Sequence, residues 1–312
     1  MKVGVIGIGY WGGKHVEEYN QLGHNVTICD NDEKNISTCK EKFPFVNIKS
    51  LDELLTDDEI KAVSICTPNE THFNIAKQCL ESGKHVFLEK PIATNLDDAN
   101  SLGKLSEKNK KILQIGHLYR FNNSIKKAKE ILTDDSFGDI HSVYFSWTNL
   151  EPIFSDRDVI LDLGIHPVDI IDYLFGGNSK NIKSRGWGIR QNNPEFAVIN
   201  YQLITHDNRT IFVNIELSWL NPIKKREMII LSKENTLKVQ CVAQTLTLIN
   251  NLSKNQEEIT NESNNTIQDE LDFFINSCEK QKMILAPYPN SEIAKNILEI
   301  VLKAEVENFD KK

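Results

Sequence analysis

Apolar residues open the chain in short unbroken runs. Residues 2–6 run into glycines, 25–29 end at Asp30, and further runs fall at 62–66, 85–88 and 112–115. Between them lie stretches with one apolar and one polar side. These predict helices over 12–22, 32–43, 71–82 and 97–109, and a short one over 51–55. Strands of continuous apolar character, alternating with helices, predict a parallel sheet covered on both faces and joined by right-handed crossovers.

The pattern changes near residue 119. Helix 123–133, strand 140–149 and helix 168–175 lead into long alternating runs at 184–190, 196–205, 209–220, 226–232 and 236–249. Short turns such as His206-Asp207-Asn208 between them predict an antiparallel sheet. Residues 251–266 are polar and read as a mobile loop. Helices over 267–281 and 290–308 close the chain, separated by Pro287 and Pro289. The fold class is therefore α/β. A Rossmann domain with a doubly wound parallel sheet spans 1–118, and an α+β domain with a large, open, mainly antiparallel sheet spans 119–312.

Composition narrows the partners. The 312 residues are 40% hydrophobic and carry a net charge of −8, which disfavours nucleic acid and anionic membranes. No apolar stretch is long enough to cross a bilayer, and Met1 leads directly into a strand rather than a signal peptide. The six cysteines form no C-x-x-C pair and sit largely in apolar runs. That pattern predicts a reducing, cytoplasmic setting and no metal site. The open sheet predicts a homodimer or homotetramer.

The first chemistry lies in Gly7-Ile8-Gly9-Tyr10-Trp11-Gly12, a G-x-G-x-x-G between a strand and a helix. Gly7 permits a tight turn, Gly9 lets the backbone approach a pyrophosphate, and Gly12 allows close helix–strand packing. The helix that opens after Gly9, at Tyr10 and Trp11, offers its N–H groups to phosphate. Asp30, at the end of the second strand, suits the hydroxyls of an adenosine ribose and repels a 2′-phosphate, which favours NAD over NADP.

Two further motifs carry a family likeness. Cys66-Thr67-Pro68-Asn69-Glu70-Thr71-His72 is followed by a run from Glu81 to Glu89-Lys90-Pro91, and Asp162-Leu163-Gly164-Ile165-His166-Pro167-Val168-Asp169 reads D-x-G-x-H-x-x-D. With the glycine loop, these resemble the Gfo/Idh/MocA oxidoreductases from residue 1 to about 176. The resemblance implies that Thr67, Pro68, Asn69, His72 and Glu89 line the cofactor, and that Lys90 stands beside both nicotinamide and substrate. It implies a cis peptide before Pro91, and it makes Asp162 and His166 the second domain's contribution to catalysis.

The chemistry suits those residue types. Oxidising an alcohol removes a hydride and a proton. His166, with an ordinary pKa of about 6.5, suits base duty, and Asp162 can orient and stabilise its imidazolium. Lys90 serves either as an ammonium on the substrate oxygen or, desolvated, as the base itself. Pro167 must lie in the first turn of any helix it joins, which puts His166 near the N-cap and Asp162 before the helix.

The stretches 116–125 and 157–162 resemble family members that oxidise nucleotide sugars. That likeness implies a UDP-linked 2-acetamido sugar oxidised at C3, with Arg120, Asn122 and Arg157 on the substrate side. Asn123-Ser124 stand where such relatives carry Pro-Ala, and Pro167 where they often carry Asp. The basic run Lys224-Lys225-Arg226, in a turn between second-domain strands, could meet a diphosphate but reads rather as solvated charge. Other branches use inositols, free sugars or 3-ketosugar nucleotides, and a non-catalytic NAD-binding regulator is the reading from a different class.

Overall fold

The computed structural model describes residues 1–154 and 157–304 and the backbone of 310–311. Two compact units emerge, Met1–Leu118 with Asn265–Leu298, and Tyr119–Asn264 with Glu299–Lys312. Among the described residues no helix is long and apolar enough to cross a membrane.

The first unit begins with β1 (Lys2–Ile6), α1 (Tyr10–Gln21), β2 (Asn25–Cys29), α2 (Glu33–Lys42), β3 (Asn47–Ile48), α3 (Leu51–Thr56) and β4 (Ile60–Ile65). It continues through α4 (His72–Glu81), β5 (His85–Leu88), α5 (Leu96–Lys108) and β6 (Leu113–Ile115). The strands form one parallel sheet in the order β3-β2-β1-β4-β5-β6. Val3, Val5, Ile28, Val63, Ile65, Val86 and Phe87 are wholly buried, as a doubly covered sheet requires. The strand order reverses between β1 and β4, and ligands of open α/β sheets bind at the carboxyl ends of strands at such a switch point. Helix starts are fixed locally. Asp32 caps α2, Ser50 and Glu53 form a capping box on α3, and Asn95 caps α5.

The second unit holds α6 (Asn123–Leu132), β7 (Ile140–Leu150), α7 (Ile165–Phe175), β8 (Asn178–Gly188), β9 (Phe196–Ile204) and β10 (Thr210–Ser218). Then come β11 (Leu220–Ser232), β12 (Asn235–Gln240), β13 (Thr245–Asn250) and β14 (Gln256–Ile259). The chain ends with α8 (Thr266–Glu279), α9 (Ser291–Lys303) and β15 (Asp310–Lys311). The second sheet runs β14-β13-β12-β11-β7-β10-β9-β8-β15. It is antiparallel except where β7 meets β10 and β8 meets β15. Alternate residues of the central strands are buried (Val143, Phe145 and Trp147; Val213, Ile215 and Leu217), while Tyr144 and Phe212 on the opposite face are exposed.

The structure departs from the sequence reading in several places, one of them the exposed two-residue β3, which the sequence reading does not contain. Asn265–Leu298 belongs to the first unit, not the second. The apolar stripe of α8 (Leu271, Phe274, Ile275, Cys278) joins Val3, Val5, Ile28 and Phe87 in one core, and Phe274 meets Phe87 edge-on at 5.7 Å. A stripe announces burial without naming the sheet that receives it. Residues 236–249 split into β12 and β13 around a turn in which Gln244 has φ +54°. Within the expected loop 251–266, Gln256–Ile259 forms an edge strand on β13. Backbone pairing alone supports it, so no apolar alternation marks it. A π-helical turn over Ile160–Gly164 runs into α7 at Ile165, so Asp162 is helical rather than before the helix. The run Lys224-Lys225-Arg226 lies inside β11, not in a turn. The expected continuation of the last helix over 305–308 lies outside the described residues.

Candidate functional site

The glycine loop has the shape that its sequence demands. Gly7 has φ +83°, and a Cβ there would stand 2.7 Å from Thr67 and 2.9 Å from the Cys66 backbone. A Cβ on Gly12 would stand 1.9 Å from the Gly7 carbonyl. Gly9 is different, because a Cβ there would meet nothing within 4 Å. Gly9 also precedes α1, whose start has no side-chain cap and no acidic residue in its first turn. Open space in front of uncapped N–H groups fits a pyrophosphate. Tyr10 is exposed, half-buried Trp11 meets it edge-on at 5.6 Å, and Lys14 Nζ lies over both rings. Half-buried Asp30 is engaged from within: Oδ2 accepts the Ile8 N–H at 2.5 Å and Oδ1 accepts the Asp32 N–H at 2.8 Å. Each carboxylate oxygen has two lone pairs, so capacity remains for a ribose hydroxyl.

Thr67, Pro68 and Asn69 follow β4 and lead through a single 3₁₀ turn into α4. His72, at the start of α4, is buried between two loops. Its Nδ1 lies 2.7 Å from the Pro91 carbonyl and its Nε2 2.9 Å from the Thr67 carbonyl. Burial holds its pKa below the ordinary imidazole value, against the pull of those carbonyls. Lys90 is half-buried at the end of β5, and the Lys90–Pro91 peptide is cis. Glu89 is buried, with Oε1 3.3 Å from His15 Nε2 and Oε2 accepting the Lys90 N–H at 3.2 Å.

In the second unit, Asp158 caps the helical segment by accepting N–H bonds from Ile160 and Leu161, each 2.9 Å long. The π-helical turn that follows is wider than an α turn, which eases the clash of the Pro167 ring with the preceding turn. Gly164 packs where a Cβ would stand 3.1 Å from Leu217. Asp162 accepts a hydrogen bond from Trp219 Nε1 at 3.2 Å, and buried His166 meets the Tyr119 ring edge-on at 5.3 Å with Trp147 at 6.2 Å. Arg157 stacks over Phe154 at 4.1 Å, and Phe154 packs on Trp219 at 5.2 Å. Stacked contacts thus connect Arg157 to the residue that holds Asp162.

Two expected substrate residues are structural. Arg120 is buried and donates to Asp169 and Asp172, both at 2.6 Å. A guanidinium spent on two carboxylates is no handle for a diphosphate. Asn122 is buried, caps α6 through Oδ1 and donates to the Cys241 carbonyl at 3.0 Å. Conversely, four residues beside Asp162 and His166 escape the sequence reading: Tyr119, Trp147, Trp219 and Arg226. Arg226 is buried, donates to the Thr148 carbonyl at 2.9 Å and to Asn149 at 2.6 Å, and lies over the Trp147 ring at 5.2 Å. Burial pulls its pKa down, while the Tyr119 phenol and the Asp162 carboxylate pull it back. Only the alternation of β11, which turns Arg226 inward and Lys225 outward, could have marked it.

A glycine-looped parallel sheet with an uncapped helix start at its switch point defines a dinucleotide-binding Rossmann protein. Comparison with known proteins gives the family. The profile of an oxidoreductase family with an NAD-binding Rossmann fold matches residues 1–117, and the profile of the GFO/IDH/MocA C-terminal domain matches 125–242, together more than half of the chain. This chain belongs to the Gfo/Idh/MocA oxidoreductase family. It is 29% identical over 189 residues to the UDP-N-acetylglucosamine 3-dehydrogenase of Acidithiobacillus ferrooxidans, covering 60% of this chain and 58% of that one. It is also 29% identical over 194 residues to the myo-inositol 2-dehydrogenase of Thermotoga maritima, with the same coverage. The matched stretch thus spans under two thirds of these relatives' own length. A solved structure of the Acidithiobacillus ferrooxidans enzyme superposes with a TM-score of 0.85 at 22% identity, covering 98% of this chain and 96% of that one.

Proposed function

We propose that this chain is an NAD-dependent dehydrogenase of a sugar hydroxyl, and that its substrate is a UDP-linked 2-acetamido sugar oxidised at C3. The observation that carries the reading is the Asp162–His166 pair. A half-buried carboxylate held by Trp219 lies one turn before a buried imidazole walled by Tyr119 and Trp147. Gly9 and the start of α1 hold the pyrophosphate, and Asp30 takes the adenosine ribose. The bound dinucleotide supplies the hydride acceptor. His166 takes the proton of the substrate hydroxyl, and Asp162 stabilises the imidazolium. Lys90 Nζ donates to the substrate oxygen as its charge develops. Lys90→Ala and His166→Ala each lower single-turnover hydride transfer by about 100-fold or more, with NADH affinity nearly intact. Wild-type rates in both variants remove these assignments.

Arg157 is the arginine we assign to the diphosphate, because it lies five residues before Asp162 and its stacked contacts lead through Phe154 to Trp219, which holds that carboxylate. A polyol dehydrogenase is the second reading, because the identity to an inositol dehydrogenase is equally high. The test compares UDP-N-acetylglucosamine, free N-acetylglucosamine and myo-inositol as substrates for NAD⁺ reduction. The nucleotide sugar wins in kcat/KM by a large factor, because remote binding energy feeds the reacting centre, and Arg157→Ala erodes that advantage selectively. A free sugar or inositol as the better substrate gives the site to the polyol reading. The six free thiols suit a reducing cytoplasm, and exposed Tyr144 and Phe212 suit a sheet face covered by a second copy of the chain.

A further inference from the structure

We infer that His15 and Glu89 are positioning residues that hold the backbone of Lys90 through a directed hydrogen-bond chain starting at Cys66. The inference rests on the proposed role of Lys90. His15 lies in α1, the helix that opens at the glycine loop, and is 1% exposed. Its ring is wedged edge-on between Phe87 at 5.2 Å and Tyr19 at 6.4 Å. Nδ1 lies 3.4 Å from Cys66 Sγ and Nε2 3.3 Å from Glu89 Oε1.

The chain has one consistent direction. Burial, reinforced by the nearby Glu89 charge, pushes the Cys66 thiol well above its ordinary pKa, so it stays protonated. The protonated thiol offers its S–H to Nδ1, and an Nδ1 that accepts leaves the ring proton on Nε2 for Glu89. The second oxygen of Glu89 accepts the Lys90 N–H at 3.2 Å. Gly116 closes the other side, because a Cβ there would stand 3.1 Å from the carboxyl group. On the far side of Lys90, the Pro91 carbonyl is held by buried His72 at 2.7 Å. The backbone around Lys90 is thus tied to two buried imidazoles, one of them in the helix that begins at the cofactor loop.

Stability alone is a poor reason for such a network. A buried carboxylate–imidazole pair costs desolvation that an apolar pair of the same volume avoids. What the network supplies is aim, and misplacing a reacting group by about 1 Å costs about 100-fold in rate.

The test compares wild type with His15→Ala, His15→Gln and Glu89→Gln. Glutamine at 15 keeps one acceptor for the thiol and one donor for Glu89. The first measurement is the rate at which trinitrobenzenesulfonate modifies Lys90 in the substrate-free protein, read by peptide mass mapping. The second is kcat and the KM for NAD⁺ with the best sugar substrate. His15→Ala and Glu89→Gln should change the Lys90 modification rate by at least about threefold and lower kcat by about 10- to 100-fold, with KM for NAD⁺ within about threefold. His15→Gln should return both to within about threefold of wild type. Three results overturn the inference: a wild-type Lys90 modification rate in the variants that fold, losses that follow KM for NAD⁺ rather than kcat, or His15→Gln no better than His15→Ala. If wild type turns over no sugar, the dehydrogenase reading fails, and the Lys90 modification rates still decide the positioning role. If His15→Ala does not fold, Glu89→Gln decides.

Discussion

In the proposed NAD-dependent reading, Asp30 carries a structural and a recognition duty together. Its Oδ2 anchors the Ile8 N–H inside the glycine loop, and its charge lies where the adenosine ribose of a dinucleotide ends in this fold. The two duties separate by substitution. Asp30→Asn keeps an acceptor for Ile8 and removes the charge that repels a 2′-phosphate. Asp30→Ala removes both. The asparagine variant should therefore narrow the NADH-over-NADPH preference by about tenfold, roughly one lost charge-assisted interaction, with NADH affinity falling modestly. The alanine variant should weaken both cofactors as the loop loosens. Dissociation constants for NADH and NADPH by fluorescence titration measure this, and wild-type binding of NADPH as tight as of NADH refutes the NAD preference outright.

Among the elements, Arg120 ties the short turn that precedes α6 to α7. Arg120 is wholly buried between Asp169 and Asp172, so its removal strands two carboxylates. Breaking such a pair from one side costs about 3–5 kcal/mol. Arg120→Ala should lower the urea midpoint accordingly while the KM for sugar changes little in protein that remains folded. A large selective rise in KM would return Arg120 to the substrate site. This joint also marks what the sequence could and could not show. Five strands of the first sheet were legible because they are covered on both faces and largely apolar, while the exposed two-residue β3 gives no such signal. The glycine loop was legible because sterics leave no other residue at Gly7 or Gly12. Arg120, Asn122 and Arg226 were not, because an arginine that pairs inside the protein and one that waits for a ligand have the same letter. The partner decides, and partners such as Asp172, 52 positions away, are set by packing. β14 was missed for a related reason, since an edge strand needs only backbone pairing.

At the scale of the molecule, the dinucleotide unit is built from two separated pieces of chain. Residues 1–118 supply the sheet, and 265–298 return after β14 of the second sheet to cover one face of it. Phe274 of α8 is wholly buried, meets Phe87 of β5 edge-on at 5.7 Å, and shares a core with Val5, Val16 and Ile28. Phe87 also packs on His15, so α8 supports the strand that leads to Lys90 from beneath. Phe274→Ala leaves a cavity in that core and should cost about 3–5 kcal/mol. The loss should fall on the nucleotide side. NADH should bind more weakly at temperatures near the new midpoint, and amide hydrogen exchange should quicken in β1, β4 and β5 before it does in β7 and β10. Exchange that quickens first in the second sheet, with β1, β4 and β5 still protected, would assign the closing helix to the other unit and contradict the two-piece construction.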